Sequence, residues 1–325
     1  MTINNSDLID KPLVLNDAEV RSYLTEIDVK SLMEKLFYAL SKDAAIQPNQ
    51  TLTLFPEDRG DYITYLGALA EQDVFGAKLS PYIVTNGAPI ITAWTHLMSM
   101  KTGQPLLLCD SGQLTIERTA GTTALAVDVL ARKESERLAL VGAGNVALAH
   151  LRHTLELRDW KTINIFAPEL AGDELRCKEI EAIDSRIIIA KSVGQATEDA
   201  DVIMLCTSSA NPVISEDQIK TSALVTSIST NALNAHEIPP SMLNNVDVYC
   251  DYKKTTPSSA GEMCLAKEQH GWVESKIVGD LADLVAKRCA SPDYNKPVFF
   301  RSIGLGLEDV AIAHGIWQLA SSDNK

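Results

Sequence analysis

The stretch Arg137-Leu-Ala-Leu-Val-Gly-Ala-Gly-Asn-Val-Ala147 constrains the fold more than any other part of this chain. A short apolar run, Leu138 to Val141, stops at Gly142; Gly144 follows two residues later and the small Ala147 three after that. A helix-compatible segment continues through Leu157. Strand, tight glycine turn and helix in that order is the layout that holds a pyrophosphate. Gly142 permits a turn that a Cβ would block, Gly144 lets backbone approach phosphate, and Ala147 lets the helix pack close to the strand. The start of that helix presents unpaired N–H groups, from Asn145 and Val146 onward, to an anion.

The surroundings extend this reading. Strand-like runs at 138–141, 162–167, 187–190, 201–206, 223–228 and 247–250 alternate with amphipathic segments or loops. Near-continuous apolar strands at this spacing predict a parallel sheet covered on both faces. The N-terminal 117 residues read differently. A helix is expected over Asp28–Ser41, then strands near 51–55, 62–70, 76–84, 89–98 and 105–109, punctuated by turn residues such as Asn86-Gly87. The last segment, from Val298, begins as a strand and is expected to return to the first domain. The fold class is therefore α/β: a Rossmann-type doubly wound parallel sheet over 137–297, inserted into a split α+β domain made of 1–117 and 298–325. The small-residue-rich stretch 118–136 is the expected connecting helix.

Composition excludes some partners. A net charge of −14 argues against nucleic acid and against an anionic membrane surface. No apolar run reaches the ~18 residues that span a bilayer, and the N-terminus lacks the basic-then-apolar pattern of a signal peptide. The six cysteines are scattered, without a C-x-x-C pair, and read as reduced thiols of a cytoplasmic protein.

A few charged residues stand where charge is not expected. Lys78 lies in the otherwise apolar Val74-Phe-Gly-Ala-Lys-Leu79; it either snorkels to an edge or binds an anion in a cleft. Arg118 precedes small residues at an expected helix start, where the helix dipole disfavours a cation. A ligand or a salt bridge with Glu117 or Asp110 would explain it. Asp128 and Asp309 read as orienting carboxylates or as solvated charges. His150 and His153 sit three apart on the helix after the glycine turn, but without a third ligand they make no metal site. Residues alone thus point to a nicotinamide or flavin enzyme with a small anionic substrate.

Four ordered motifs say more: Lys101-Thr-Gly-Gln-Pro-Leu, Leu114-Thr-Ile-Glu-Arg-Thr-Ala120, Val141-Gly-Ala-Gly144 and Ser302-Ile-Gly-Leu-Gly-Leu-Glu-Asp309. Together, over about 47–317, they resemble the ornithine cyclodeaminase/μ-crystallin family. The resemblance implies a homodimer, a nicotinamide cofactor on the central domain and an active site between the two domains. It implies that Lys78 binds the substrate carboxylate and that Arg118 contacts both that carboxylate and the cofactor region. Thr92, Asn145, Val146, Thr207 and Ser302 fall at family cofactor contacts, and Ser229 opens a further loop on the cofactor side.

Two departures matter. Where the family often has arginine, this chain has Gln50, which removes a cation from the carboxylate clamp or turns the residue to another substrate group. Where the cyclodeaminases carry a catalytic aspartate, this chain reads Ser229-Thr-Asn231. An amide cannot take a proton as a carboxylate does. That disfavours ornithine cyclisation and favours the reductase branch, with NAD(P)H-dependent reduction of Δ1-pyrroline-2-carboxylate to L-proline as the leading case. Lys78 and Arg118 would hold the carboxylate, hydride would reach the imine carbon, and Asn231 would hydrogen-bond near it. An amino-acid dehydrogenase such as alanine dehydrogenase, an iminosuccinate reductase, the lyase itself and a non-catalytic binder of the μ-crystallin kind are the alternatives. Glu169, 27 residues beyond Gly142, is the candidate for the ribose hydroxyls. No Asn-Arg-Thr follows that strand, which tilts the cofactor toward NAD(H) over NADP(H).

Overall fold

The alternation of β-branched strands and amphipathic helices in the middle of the chain is realised as an open parallel sheet. The computed structural model describes residues 11–229 and 234–323. It divides into two units, 1–118 with 305–325 and 119–304.

In the first unit, β1 (Leu13–Leu15), β2 (Ala45–Ile46), β3 (Thr51–Leu54), β4 (Gly60–Leu69), β5 (Val74–Ile83), β6 (Ile90–Ile91), β7 (Trp94–Ser99) and β8 (Pro105–Asp110) form one sheet. Its path runs β1-β8-β7-β5-β4-β2, antiparallel except for β1 on β8. Helices α1 (Asp17–Leu24) and α2 (Val29–Ser41) and the C-terminal helix Gly306–Asp323 complete it. Alternation sorts the strand residues. Ile63, Tyr65 and Leu69 of β4 and Val74 and Lys78 of β5 are buried. On the opposite face Val14, Leu66, Phe75, Leu79, Trp94 and Leu108 are 36–62% exposed. The C-terminal helix lies close to β4 because two glycines meet there: a Cβ on Gly67 would come 2.6 Å from Leu307 Cα, and one on Gly306 would come 2.5 Å from the Leu66 nitrogen. Any larger residue at either place would lift the helix off the strand.

The second unit holds β9 (Arg137–Val141), β10 (Thr162–Phe166), β11 (Ile187–Ile189), β12 (Val202–Leu205), β13 (Leu224–Ser227), β14 (Asp247–Cys250), β15 (Ile277–Asp280) and β16 (Val298–Arg301). All are parallel, in the order β11-β10-β9-β12-β13-β16-β14-β15. The order reverses between β9 and β12, the topological switch point where such sheets bind ligands beyond their strand ends. Apolar side chains such as Val141, Ile203, Val225 and Phe299 form the core on the sheet.

Two boundaries differ from expectation. Val298–Arg301 belongs to the parallel sheet, in register with β13 and β14, so the chain returns to the first unit only at Leu305. The apolar run Val298-Phe-Phe suits a strand buried on both faces, and strand pairing outweighs its nearness to the C-terminal helix. The helix expected over 118–136 is α3, Gly112–Leu130. It begins at the turn where the Asp110 carboxylate accepts the Gly112 N–H at 2.8 Å.

Candidate functional site

Lys78 is the buried lysine of β5. Its register partners, Tyr65 on β4 and Thr95 on β7, place it on the helix-covered face of the sheet. It does not snorkel: the residue is 1% exposed. Its Nζ lies 3.0 Å and 2.9 Å from the two carboxylate oxygens of Asp309, donates to Thr115 Oγ1 at 3.3 Å, and sits 4.3 Å from the centroid of the Tyr65 ring. Arg118 is the seventh residue of α3 rather than its first, so no dipole penalty attaches to it. Glu308 and Asp309 hold it. Arg118 Nη1 donates to Glu308 Oε2 at 3.0 Å and Nε to Asp309 Oδ1 at 3.2 Å. Glu117 accepts from Gln113 at 2.6 Å.

The result is a buried cluster of two cations and two carboxylates. Glu308 and Asp309 are both fully buried, at the start of the C-terminal helix, where a carboxylate complements the helix dipole. Burial, and then Arg118, push the Lys78 ammonium down to about 8, with Asp309 holding it up. Burial also works against the Arg118 charge, but Asp309 and Glu308 outweigh it and its pKa rises. Asp309 thus serves as counter-ion to both cations, a role the sequence could suggest only as one of two readings; Glu308 carried no separate signal. Gln50 is half-buried just before β3. Its neighbour Gln47 accepts the Leu307 N–H at 2.9 Å, which ties that segment to the carboxylate-bearing helix. Thr92 is exposed between β6 and β7.

In the second unit the glycine turn has the expected form. Gly142 adopts φ +123°, and a Cβ there would fall 2.3 Å from the Cys206 carbonyl oxygen. Gly144 is the N-cap of α4 (Asn145–Thr154) and brings no side-chain acceptor to it. The first N–H groups of that helix, at Asn145, Val146 and Ala147, therefore have no capping side chain, and nothing would meet a Cβ on Gly144 within 4 Å. Ala147 is buried beneath the turn. Glu169 is exposed, just past β10. Arg176, on α5 (Glu174–Glu181), is a residue the sequence reading passed over. Its Nη2 reaches the Ala143 carbonyl at 3.5 Å.

The loops beyond the strand ends are held by buried carboxylates. Thr207, after β12, and Ser229, after β13, both bond to Glu237. Ser302, after β16, donates to Asp251 Oδ2 at 3.1 Å, and the Ile303 and Gly304 N–H groups share that oxygen at 2.7 Å and 3.1 Å. Asn231 lies outside the described residues. His150, a metal candidate by spacing, is buried with Nδ1 2.7 Å from the Val146 carbonyl and Nε2 2.9 Å from Thr123 Oγ1.

The chain is 54% identical to the NAD(P)H-dependent anabolic L-arginine dehydrogenase of Pseudomonas aeruginosa over 308 residues, which is 95% of this chain and 97% of that one. It is 24% identical to a Δ1-pyrroline-2-carboxylate reductase of Colwellia psychrerythraea over 302 residues, 89% of this chain and 94% of the relative. The structure of Thermococcus litoralis Δ1-pyrroline-2-carboxylate reductase in complex with NADH and L-proline matches with a TM-score of 0.88 at 22% identity, covering 96% of this chain and 98% of that one. At that identity the likeness speaks for the fold. The model of the ornithine cyclodeaminase/mu-crystallin family matches residues 11–324. The chain belongs to the ornithine cyclodeaminase/μ-crystallin family.

Proposed function

We propose that this protein is an NAD(P)-dependent oxidoreductase acting on the C–N bond of an amino or imino acid, and that its substrate is L-arginine or the corresponding 2-imino acid. The observation that carries the substrate is the 54% identity to an L-arginine dehydrogenase across 95% of the chain. The proline reading drawn from the motifs rests on relatives at 24% and now stands second. Gln50 supports the change: a glutamine there spares a substrate with a cationic side chain a third like charge.

The residues fit a dinucleotide. The glycine turn has no room for a Cβ at Gly142, and the α4 N-terminus is free of a capping side chain. Ser229 Oγ is buried with no hydrogen-bond partner among the described residues. Gly142, Gly144, Asn145, Val146 and Ala147 would hold the pyrophosphate, with Thr207, Ser229 and Ser302 toward the nicotinamide. Glu169 suits the ribose hydroxyls of NAD(H), and Arg176 offers a cation to the 2′-phosphate of NADP(H), so the pair suits use of both.

Lys78 and Arg118 hold the substrate's α-carboxylate through charge-assisted hydrogen bonds, and Asp309 and Glu308 fix where those cations stand. Near pH 8 the Lys78 ammonium can hold or release its proton at Nζ, which matches a reaction that adds or removes a proton at the substrate nitrogen. A bound nicotinamide supplies or accepts the hydride. The relative's anabolic designation favours the reductive direction. The exposed apolar face of Leu66, Phe75, Leu79, Trp94 and Leu108 suits a second copy of this chain, giving a homodimer.

The test is direct. Purified protein is mixed with NADH or NADPH and offered either the 2-oxo acid of arginine with ammonia or Δ1-pyrroline-2-carboxylate, and absorbance of the reduced cofactor is followed. Faster oxidation with the first pair supports the arginine reading. Oxidation with pyrroline carboxylate alone restores the proline reading, and oxidation with neither rejects both.

A further inference from the structure

Glu237 is fully buried and lies between Ala235 and Ile238, themselves 2% and 0% exposed. Its carboxylate accepts four hydrogen bonds. Thr207 N–H and Oγ1–H donate to Oε1 at 2.7 Å and 2.8 Å; Ser227 Oγ–H and Ser229 N–H donate to Oε2 at 2.7 Å and 2.8 Å. The Glu237 carbonyl accepts the Val213 N–H at 2.8 Å, so the backbone that carries the side chain is held as well.

The partners are informative. Leu205 and Ser227 are register partners at the ends of β12 and β13, and the chain leaves the sheet just beyond each. One carboxylate spans both exits. The same place adjoins the glycine turn, because the residue before Thr207 is Cys206, whose carbonyl lies against Gly142. In a sheet of this topology the strand ends beside the switch point carry the bound ligand.

We infer that Glu237 is a positioning residue for the nicotinamide end of the cofactor: it latches the loops after β12 and β13 together, so that Thr207 and Ser229 form a fixed shelf. The inference rests on the dinucleotide reading above. The chemistry requires a carboxylate. Each carboxylate oxygen accepts one backbone N–H, which can only donate, and one hydroxyl, so a glutamine of the same shape would turn its NH2 toward the Thr207 or the Ser229 N–H and break that bond of the latch. Ser229 shows what the latch leaves available: its N–H is held by Glu237, while its own hydroxyl has no partner among the described residues.

The experiment compares a whole cofactor with the part that lacks nicotinamide. Affinities of wild type, Glu237→Gln and Ser227→Ala are measured by calorimetry. The ligands are whichever reduced cofactor the wild type binds more tightly and the matching fragment, ADP-ribose or its 2′-phosphate. The wild type should bind the cofactor more tightly than the fragment. Glu237→Gln should weaken the cofactor about tenfold or more, equivalent to about 1.4 kcal/mol, and leave the fragment within about twofold. Ser227→Ala removes one of four donors, together with the longer bond that Ser227 Oγ accepts from Arg301 Nη1 at 3.4 Å, without touching the loops. It should give a smaller loss of the same kind, and it carries the test if Glu237→Gln does not fold. Equal losses for cofactor and fragment would reduce Glu237 to a general structural role and overturn the inference. So would an unchanged cofactor affinity, or a wild type that binds both ligands equally. A wild type that binds neither would overturn the dinucleotide reading with it.

Discussion

Replacing Asp309 with asparagine tests the cation cluster at its centre. The substitution keeps the shape and removes the charge that faces both Lys78, at 2.9 Å, and Arg118, at 3.2 Å. With Asp309 present, Lys78 sits at about 8, so at neutral pH it is mostly an ammonium. An opposite charge within about 4–6 Å is worth about one to three pH units to a buried group. Without it, Lys78 should lose its proton about one to three pH units lower and be at least half neutral at pH 7. The stability cost is bounded by the same argument. A lysine can shed its charge, so its extra penalty at pH 7 is limited to the interval between 8 and 7, about 1 kcal/mol. Arg118 cannot shed its charge, but it retains Glu308. The variant should therefore fold, losing less than the ~3–5 kcal/mol of a broken buried pair whose charge is trapped. The assay is the affinity of the 2-oxo acid, without ammonia, for the cofactor-loaded protein from about one unit below the lowest expected limb, ~pH 4, up to ~pH 9. For wild type, binding should weaken as pH rises through about 8, where Lys78 becomes neutral. In Asp309→Asn the weakening should begin about one to three pH units lower. A limb that stays near 8 in the variant would refute Asp309 as the counter-ion of the group that binds carboxylate.

Other outcomes follow from the same structure. Lys78→Met and Arg118→Met should each raise KM for the amino or oxo acid at least tenfold, by about 1.4 kcal/mol or more, while cofactor affinity measured by calorimetry changes little for Lys78→Met; an unchanged KM in either would reject the clamp. Gly142→Ala places a Cβ against the Cys206 carbonyl at a left-handed φ, so it should cost about 1–3 kcal/mol by thermal denaturation and reduce NADH affinity at least tenfold; NADH bound as tightly as before would sink the pyrophosphate reading of the turn. Arg176→Ala should weaken NADPH more than NADH, and Glu169→Gln should weaken NADH more than NADPH, as read from paired dissociation constants. Phe75→Glu combined with Leu79→Glu puts charge on the exposed sheet face, and light scattering should report a dimer for the parent chain and a monomer for the variant.

Much of this was legible in the residues because local chemistry decides it. The glycine turn declares itself by spacing, and the parallel strands by apolar runs too short for helices. The strand at Val298 was legible as a strand but not as to its sheet, since partner choice in a parallel sheet depends on crossovers that leave no local mark. Lys78 stood out as a charge in an apolar strand, whereas Arg118 was singled out by an expected helix start that in fact lies at Gly112. What answers them, Glu308 and Asp309, lies about 190–230 residues away in sequence, on a helix whose close approach to β4 at Gly67 and Gly306 brings it near. Glu237 had no signal at all: an isolated acid in Asn-Ala-His-Glu-Ile-Pro-Pro looks solvated until its four donors converge.

Hydride chemistry on an arginine-type amino or imino acid is the activity proposed for this chain. Its most direct measurement is the steady-state rate of reduced-cofactor oxidation with the 2-oxo acid of arginine plus ammonia, set against the rate with Δ1-pyrroline-2-carboxylate at equal concentration, with L-arginine identified as the product by mass. kcat/KM for the arginine precursor should exceed that for the cyclic imine by about tenfold or more. Turnover of the cyclic imine to L-proline with no L-arginine formed from its precursor would contradict it.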